Sequence, residues 1–160
     1  MNAAIAELTA AVRLHQQRLG AVHDTLEKAL ADEINRLGRT PVSALIIAGL
    51  LENYYTCVET IFLRISQHFE NRLGPERWHQ DLLQKMTLDV EGVRAAAISE
   101  AAFAPLLELL RFRHFKRYYF ELEYDWDRLD FLVVKLRQAH PLVTRDLARF
   151  RGFMDALNPS

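Results

Sequence analysis

The stretch ValSerAlaLeuIleIleAlaGlyLeuLeu, residues 42–51, is apolar on nearly every side of a helix. A helix that is apolar all round is buried among other helices, so this stretch predicts the central helix of a bundle. Thr40 and Pro41 precede it as a typical N-cap and first helical residue, and Gly38 before them is a typical helix stop. The central helix is therefore predicted from Pro41 to about Glu70.

On both sides of the central helix, apolar residues recur every three or four positions, which is the period of amphipathic helices. Ala3 to Leu37 follows this pattern over about nine turns, and Gly20 is the expected position of a bend. No segment shows sustained alternation of apolar and polar residues, so no strand is predicted. After the central helix, the sequence predicts a break at Asn71–Pro75, a helix from Glu76 to Leu88 and an irregular connection from Asp89 to Ile98. A helix from about Glu100 to Tyr119, capped by Ser99, is predicted next. Asp125 or Asp127 opens a further helix that stops before Pro141, and a last helix runs from Pro141 to Leu157. The predicted fold class is all-α, an antiparallel helical bundle of about five to six helices in a single domain, residues 1–160.

The overall composition is that of an ordinary globular protein, with 50% hydrophobic and 26% charged residues. The formal net charge of -1 gives no global attraction to nucleic acid or to a membrane, so any charged binding surface must be local. The longest apolar run, Ala44 to Leu51, is far shorter than the roughly 20 residues of a membrane span. No signal peptide is predicted at the N-terminus, and the single cysteine, Cys57, predicts a buried structural thiol in a reducing compartment. We therefore expect a cytoplasmic protein with no membrane partner.

The sequence lacks the common catalytic and ligand-binding motifs, including glycine-rich phosphate loops, HExxH and cysteine pairs for zinc. The six histidines lie at positions 15, 23, 68, 79, 114 and 140, and no two of them lie three or four residues apart. No helix therefore offers two histidines as neighbouring metal ligands. Each histidine is expected to be exposed or hydrogen-bonded, and neither a metal nor a cofactor is predicted.

One segment carries a local positive charge: LeuArgPheArgHisPheLysArgTyrTyrPhe, residues 110–120. On a helix, Arg113 and Arg117 share a face, and His114 and Tyr118 share a neighbouring one. Cations beside aromatic rings suit the phosphates and unstacked bases of single-stranded RNA. The alternative is that the basic stretch only balances the acidic residues that follow it, an arrangement that helix dipoles also favour. The residues predicted to bind RNA are Arg111, Arg113, Lys116, Arg117 and Tyr119.

The order of residues in this segment resembles the signature region of HepT-like proteins, which are HEPN-domain toxins paired with a minimal nucleotidyltransferase antitoxin. The resemblance rests on ArgPheArgHisPhe at 111–115 and on GluLeuGluTyrAspTrp at 121–126. It extends upstream through 51–62, 78–86 and 91–99, and so covers most of the chain, roughly residues 45 to 155. The resemblance implies a helical bundle that forms a homodimer, in which two signature helices face each other across a cleft.

The resemblance also implies a motif of an arginine, four intervening residues, a histidine, one more residue and often a tyrosine, which places the arginine at Arg113. The implied chemistry is metal-independent RNA cleavage, in which a 2′-hydroxyl attacks its own phosphate. Here Tyr118 stands in place of the histidine and Phe120 in place of the tyrosine. A phenol, with a reference pKa of about 10, is a poor general base at neutral pH. Phe120 has no hydroxyl to accept the AMP with which the nucleotidyltransferase silences such toxins.

These residues leave three hypotheses about function open. The favoured one is a HepT-like protein of a toxin–antitoxin system with weakened or lost cleavage, which acts as a dimeric module that binds RNA or a partner protein. The second is an active endoribonuclease toxin that uses Arg113, Arg117 and His114, and the third is a structural helical dimer with no nucleic-acid role. The apolar and aromatic content of the second and fourth helices favours a homodimer, and the resemblance implies the nucleotidyltransferase antitoxin as a partner. The catalytic candidates are Arg113, His114 and Tyr118.

Overall fold

The computed structural model describes residues 2–70, 78–119 and 123–159, and within these ranges the chain forms five helices. The predicted all-α class is therefore confirmed. Helix α1 spans Ala3–Lys28 and continues through a π-helical turn, Ala29–Glu33, and a last α-helical turn, Ile34–Leu37; α2 spans Pro41–Phe69, α3 Trp78–Lys85, α4 Glu100–Tyr119 and α5 Trp126–Leu157.

Helix α1 starts and stops where the sequence predicts. Asn2 caps its first turn, because its side-chain oxygen accepts a hydrogen bond from the backbone N–H of Ala4 (3.1 Å). Gly38 ends the last turn with a φ of +77°, a left-handed conformation that favours glycine. Gly20, the expected bend, lies within uninterrupted α-helix, and the irregular turn occurs later, at Ala29–Glu33.

The start of α2 follows from its two predicted signals. The hydroxyl of Thr40 accepts a hydrogen bond from the backbone N–H of Ser43 (3.1 Å), and Pro41 occupies the first turn, where no N–H is needed. The helix ends at Phe69, next to the predicted end at Glu70. Among the described residues α2 contacts all four other helices, so its predicted central position is confirmed.

Side-chain contacts show that the helices run in alternating directions. Cys57 of α2 donates its half-buried thiol to the carbonyl of His15 in α1 (3.2 Å), and the turn at 38–40 reverses the chain between them. Cys57 is half-buried, where the sequence predicts a buried thiol, and this partial burial raises the pKa of the thiol. The same antiparallel order holds for α1 with α5, through Gln16–Thr144 and Glu27–Arg137, and for α4 with α5, through Ser99–Asp146 and Phe115–Arg128.

Helix α5 corrects one sequence prediction. The sequence predicts a stop before Pro141 and a separate last helix from Pro141 to Leu157, but one helix, α5, runs from Trp126 to Leu157 with Pro141 inside it. Proline lacks an N–H and crowds the preceding turn, which costs a helix interior about 3 kcal/mol. The residues around it, Leu136, Ala139 and Val143, are completely buried. Because tertiary packing supplies most of the stability of such helices, this burial outweighs the local cost of the proline.

The predicted starts of the helices that correspond to α4 and α5 are confirmed. Asp125 precedes α5 and caps it, since its carboxylate accepts a hydrogen bond from the backbone N–H of Asp127 (2.9 Å). Ser99 lies immediately before α4, and its hydroxyl donates to the carboxylate of Asp146 in α5 (2.7 Å). The first turn of α4 is thereby tied to the middle of α5.

Helix α3 ends at Lys85, three residues before the predicted end at Leu88. A tertiary contact stabilises this end, because the buried guanidinium of Arg94 donates to the carbonyl of Lys85, the last helical residue, and to that of Leu88 beyond it (3.0 Å each). The predicted start at Glu76 and the predicted break at Asn71–Pro75 lie outside the described residues. The predicted apolar face is confirmed, with Trp78 partly buried and Leu82, Leu83 and Met86 completely buried. The segment between α3 and α4 is irregular, as predicted.

Helix α2 is long and apolar enough, by length and composition, to cross a membrane, and 44% of its most apolar window is buried inside the bundle. The central helix of a bundle has the same composition. Its first half is nevertheless not buried on every side, since Val42 is 67%, Leu45 38% and Ile46 41% exposed. The apolar stretch at 42–51 therefore contributes both to the core and to an exposed apolar surface.

Candidate functional site

Arg113, the first arginine of the predicted motif, lies inside the bundle. Its side chain leaves α4 toward α2 and is only 9% exposed. There Nε donates a hydrogen bond to the hydroxyl of Thr56 (2.8 Å), and Nη1 lies 3.5 Å from Oε1 of Glu59. A buried guanidinium requires such a carboxylate partner, and the charge of Arg113 is therefore balanced by Glu59 of α2.

Glu59 also binds a third helix. Its second oxygen, Oε2, lies 2.8 Å from Nδ1 of His79 in α3, and His79 stacks on the neighbouring Trp78 with ring centroids 3.6 Å apart. Glu59, Thr56, His79 and Arg113 together form what we call the Glu59 cluster. One buried carboxylate thus holds a guanidinium from α4 and an imidazole from α3.

The tyrosine next to this cluster in space is a buried neutral phenol. Burial, with a smaller contribution from the negative charge of Glu59, raises the pKa of Tyr55 far above its ordinary value. Its hydroxyl is buried and has no hydrogen-bond partner among the described residues. Tyr55 therefore supplies no charge to the cluster.

The other basic residues of the segment are exposed or half-buried. Arg111 and Arg117 are exposed, and Arg111 is paired at 3.6 Å with Glu108 on its own helix. Lys116 is half-buried and pairs with Glu52 of α2 (2.7 Å). The two arginines predicted to share a face, Arg113 and Arg117, thus lie in different environments, one in the Glu59 cluster and one in solvent.

The two candidates for proton transfer lie next to each other on the surface. Tyr118 is 62% exposed, and its ring centroid is 4.4 Å from that of the exposed His114. This is the arrangement expected from their spacing of four residues. The side chain of Tyr119 and the whole of Phe120 lie outside the described residues.

A groove separates α3 from α4 beside the Glu59 cluster. It has a volume of about 280 Å³ and is lined by His79 and Gln80 of α3 and by Leu110, Arg111 and His114 of α4. An imidazole held by a buried carboxylate can donate or accept a proton through its other nitrogen, and an arginine nearby can hold an anion. The groove thus brings together groups suited to phosphate binding or to acid–base chemistry.

Sequence reasoning missed three residues of the Glu59 cluster. Thr56 and Glu59 lie in the stretch 51–62, and His79 lies in the stretch 78–86, both of which contribute to the family resemblance. His79 lies 20 residues after Glu59, and Arg113 lies 57 residues after Thr56. These separations give no local signal that the residues meet, because only the packing of α3 and α4 against α2 brings them together.

The other histidines fit the expectation of hydrogen-bonded or exposed side chains. His140 stacks on His23 with ring centroids 3.9 Å apart, and its Nδ1 lies 3.0 Å from the hydroxyl of Tyr54. Burial, together with the neighbouring His23, lowers the pKa of His140 below its ordinary value. No group of three potential metal ligands occurs in the part of the chain that the structure describes.

Comparison with known families agrees with the resemblance. A family model described as HepT-like protein matches residues 46–154, more than half of the chain. The match includes α3, α4 and most of α2 and α5, and leaves α1 outside. Neither the curated proteins nor the solved structures gave a match.

Proposed function

Because the chain belongs to the HepT-like protein family, we propose that it is the HEPN member of a toxin–antitoxin pair, with weakened or lost RNA cleavage, and that it acts as a dimeric RNA-binding module. The observation that carries this proposal is that the two motif positions, 113 and 118, lie in different environments. Arg113 is held by Glu59 and Thr56, while the position of the motif histidine is occupied by an exposed phenol, Tyr118. The two groups that the family chemistry needs beside one phosphate are therefore not both present there.

Binding has more support than cleavage. Arg111 and Arg117 are exposed on the helix that carries Tyr118, whose ring is available to stack on a base. Guanidinium groups bind phosphates, and bases stack on aromatic rings without sequence preference. Neither interaction needs a group with a pKa near neutrality, so both survive the replacement of the motif histidine.

The test is RNA binding and RNA integrity measured on the same purified protein in the presence of EDTA. We expect a single-stranded RNA to bind and to stay intact, and Arg117→Ala to weaken binding about fivefold, which corresponds to about 1 kcal/mol for one exposed charge contact. Arg36→Ala is the control, because Arg36 is an exposed arginine like Arg117 and lies on α1, outside the basic segment. Metal-independent degradation of the RNA that is lost in His114→Ala would overturn the proposal.

The second candidate function, an active endoribonuclease toxin using Arg113, Arg117 and His114, rests on the exposed position of His114 beside Tyr118. An exposed imidazole can transfer protons near neutral pH. This hypothesis predicts that expression of the chain without its partner arrests growth of the host cell and that His114→Ala relieves the arrest. Arrest that is indifferent to this substitution would contradict it.

The homodimer is supported by the apolar surface of α2. Val42, Leu45 and Ile46 are exposed, and the last two line a groove of about 630 Å³ between α1 and α2. Exposed apolar patches of this kind mark protein interaction sites. Light scattering should give twice the mass of 18.5 kDa, and Ile46→Glu should shift the protein toward the monomer.

Family membership also supports a minimal nucleotidyltransferase as the partner protein and the cytoplasm as the location. Phe120 replaces the tyrosine that would carry AMP, so the two proteins would associate without that modification. Co-expression with a nucleotidyltransferase encoded next to this chain, followed by affinity purification and mass spectrometry, should give a complex in which no residue of this chain carries AMP.

A further inference from the structure

The groove between α3 and α4 has an unusual pair of walls. Its α4 wall carries the cation Arg111 and the imidazole of His114, and its α3 wall carries the imidazole of His79 and the amide of Gln80. The described residues that line the groove are these four and Leu110, and none of these five is a carboxylate. The polar groups that these described residues present are the guanidinium of Arg111, which also pairs with Glu108, two imidazoles and an amide. Each of them can donate a hydrogen bond to an anion.

The Glu59 cluster fixes His79 in a way that suits a ligand. Nδ1 of His79 is engaged by Oε2 of Glu59 at 2.8 Å, while the other carboxylate oxygen faces Arg113. A carboxylate that holds one nitrogen of an imidazole orients the ring and leaves the other nitrogen, Nε2, for a second partner. The negative charge of Glu59 is matched by Arg113, so it does not repel an anion in the groove.

The groove also has the right size and access. Its volume of about 280 Å³ equals that of roughly nine water molecules, which is enough for a phosphate group and the sugar that carries it. Its α4 wall is continuous with the exposed residues Arg117 and Tyr118, because His114 lies one helical turn before Tyr118 on the same helix.

We propose that this groove is a phosphate-binding subsite in which His79 and Gln80 of α3, together with Arg111 and His114 of α4, hold one phosphate group of the bound RNA. The proposal rests on the RNA-binding function above and adds a wall, α3, that the signature segment does not contain. The buried Glu59 acts through His79 as a positioning residue, because it orients the imidazole without contact to the ligand.

The first experiment uses sodium phosphate as the probe and observes the histidine side chains by NMR at constant ionic strength. We expect the imidazole signals of His79 and His114 to move in a saturable way, and those of His15 and His68, which do not line the groove, to stay in place. Imidazole signals of His79 and His114 that stay unmoved by phosphate would overturn the subsite.

The second experiment measures RNA affinity by fluorescence anisotropy. Gln80→Ala, Arg111→Ala and His114→Ala remove exposed side chains and are expected to leave the fold intact and to weaken binding threefold to tenfold, roughly the effect of one contact each. Arg36→Ala and His68→Ala, which remove an exposed arginine and an exposed histidine away from the groove, are the controls and should bind like the parent protein. Equal affinity of Gln80→Ala, Arg111→Ala and His114→Ala to the parent would overturn the proposal.

RNA with and without a 5′-phosphate then distinguishes the source of the phosphate. A preference for the phosphorylated RNA assigns the subsite to a terminal phosphate, and equal binding assigns it to a backbone phosphate; either result supports the subsite. Failure of the proposed function has a different signature. In that case no RNA binds to the parent protein, while sodium phosphate still moves the signals of His79 and His114.

Discussion

Two carboxylates are buried among the described residues, Glu59 in α2 and Asp146 in α5, and their partners differ in kind. Glu59 is bound by charged or titratable side chains from two other helices, Arg113 and His79. Asp146 is bound by the backbone N–H of Ser99 (2.8 Å) and its hydroxyl (2.7 Å), and by the guanidinium of Arg145 on its own helix (3.1 and 3.2 Å). The two buried carboxylates are thus stabilised by different sets of partners.

This difference indicates that Asp146 has a structural role and that Glu59 belongs to the candidate site. Both oxygens of Asp146 are occupied by donors, and the two arginines beside it, Arg145 and Arg149, are largely exposed, so this carboxylate joins α4 to α5. Glu59 is different because one of its partners, His79, also lines a groove and has a second nitrogen. A buried carboxylate therefore indicates a functional site when one of its partners, as His79 does here, also presents a polar atom to a groove.

The largest effect that tests this comparison is expected from removing Glu59. Glu59→Ala leaves the guanidinium of Arg113 buried without its charged partner, and breaking such a pair typically costs about 3–5 kcal/mol of unfolding free energy. Urea denaturation followed by circular dichroism measures the loss. Glu52→Ala is the matched control, since it removes a glutamate of α2 whose partner, Lys116, is half-buried and can turn to water; we expect a loss of about 1 kcal/mol or less. Similar losses in both variants would contradict the assignment of Glu59 as the more deeply buried charge.

Much of the fold follows from local signals in the sequence. Gly38 and the pair Thr40–Pro41 predict the first turn of the bundle correctly, because a positive φ and an N-cap depend only on neighbouring residues. The predicted helix stop before Pro141 is wrong because it also relied on a local signal alone. Its local cost is real, but the burial of the helix around it depends on α1 and α2, which local sequence does not reveal.

The site was predictable only in part. The segment 110–120 was found from its charge and its family resemblance, and His114 and Tyr118 are adjacent, as their spacing predicts. The environment of Arg113 depends on Thr56 and Glu59, which are more than 50 residues away in the chain. Periodicity places a residue on a helix face, but which face meets α2 is decided by packing of the whole bundle.

A smaller effect is expected from the other buried carboxylate. Asp146→Ala removes the acceptor of the Ser99 N–H and hydroxyl and should cost about 2 kcal/mol, within the range for leaving buried donors unsatisfied. The loss should be smaller than that of Glu59→Ala, because the donors left behind are neutral or belong to the largely exposed Arg145. Urea denaturation checks the order of the two variants. An Asp146→Ala loss larger than that of Glu59→Ala would reverse the comparison.

The smallest expected effect is the acid dependence of stability that Asp146 contributes. Burial by itself would raise the pKa of Asp146, but the hydrogen bonds from Ser99 and the charges of Arg145 and Arg149 outweigh it and hold the pKa below its ordinary value. Since the folded pKa lies below the unfolded one, the unfolded chain binds the proton first. The stabilisation is therefore complete above the unfolded pKa of about 4 and is lost as the pH falls through the folded pKa.

Asp146→Asn removes this titration while keeping an oxygen that can accept from Ser99. Unfolding free energies measured by urea denaturation at a series of pH values from neutral to acid should therefore fall less steeply in Asp146→Asn than in the parent protein, and the two curves should converge at the acid end. The exposed Asp155 provides the control, since Asp155→Asn should give a curve parallel to that of the parent. If the Asp146→Asn curve is also parallel, the Ser99 contact holds the carboxylate no better than water does. Asp146 would then differ from Glu59 in having no net stabilising charge interaction, and the joint between α4 and α5 would depend on its hydrogen bonds and packing without a contribution from the charge.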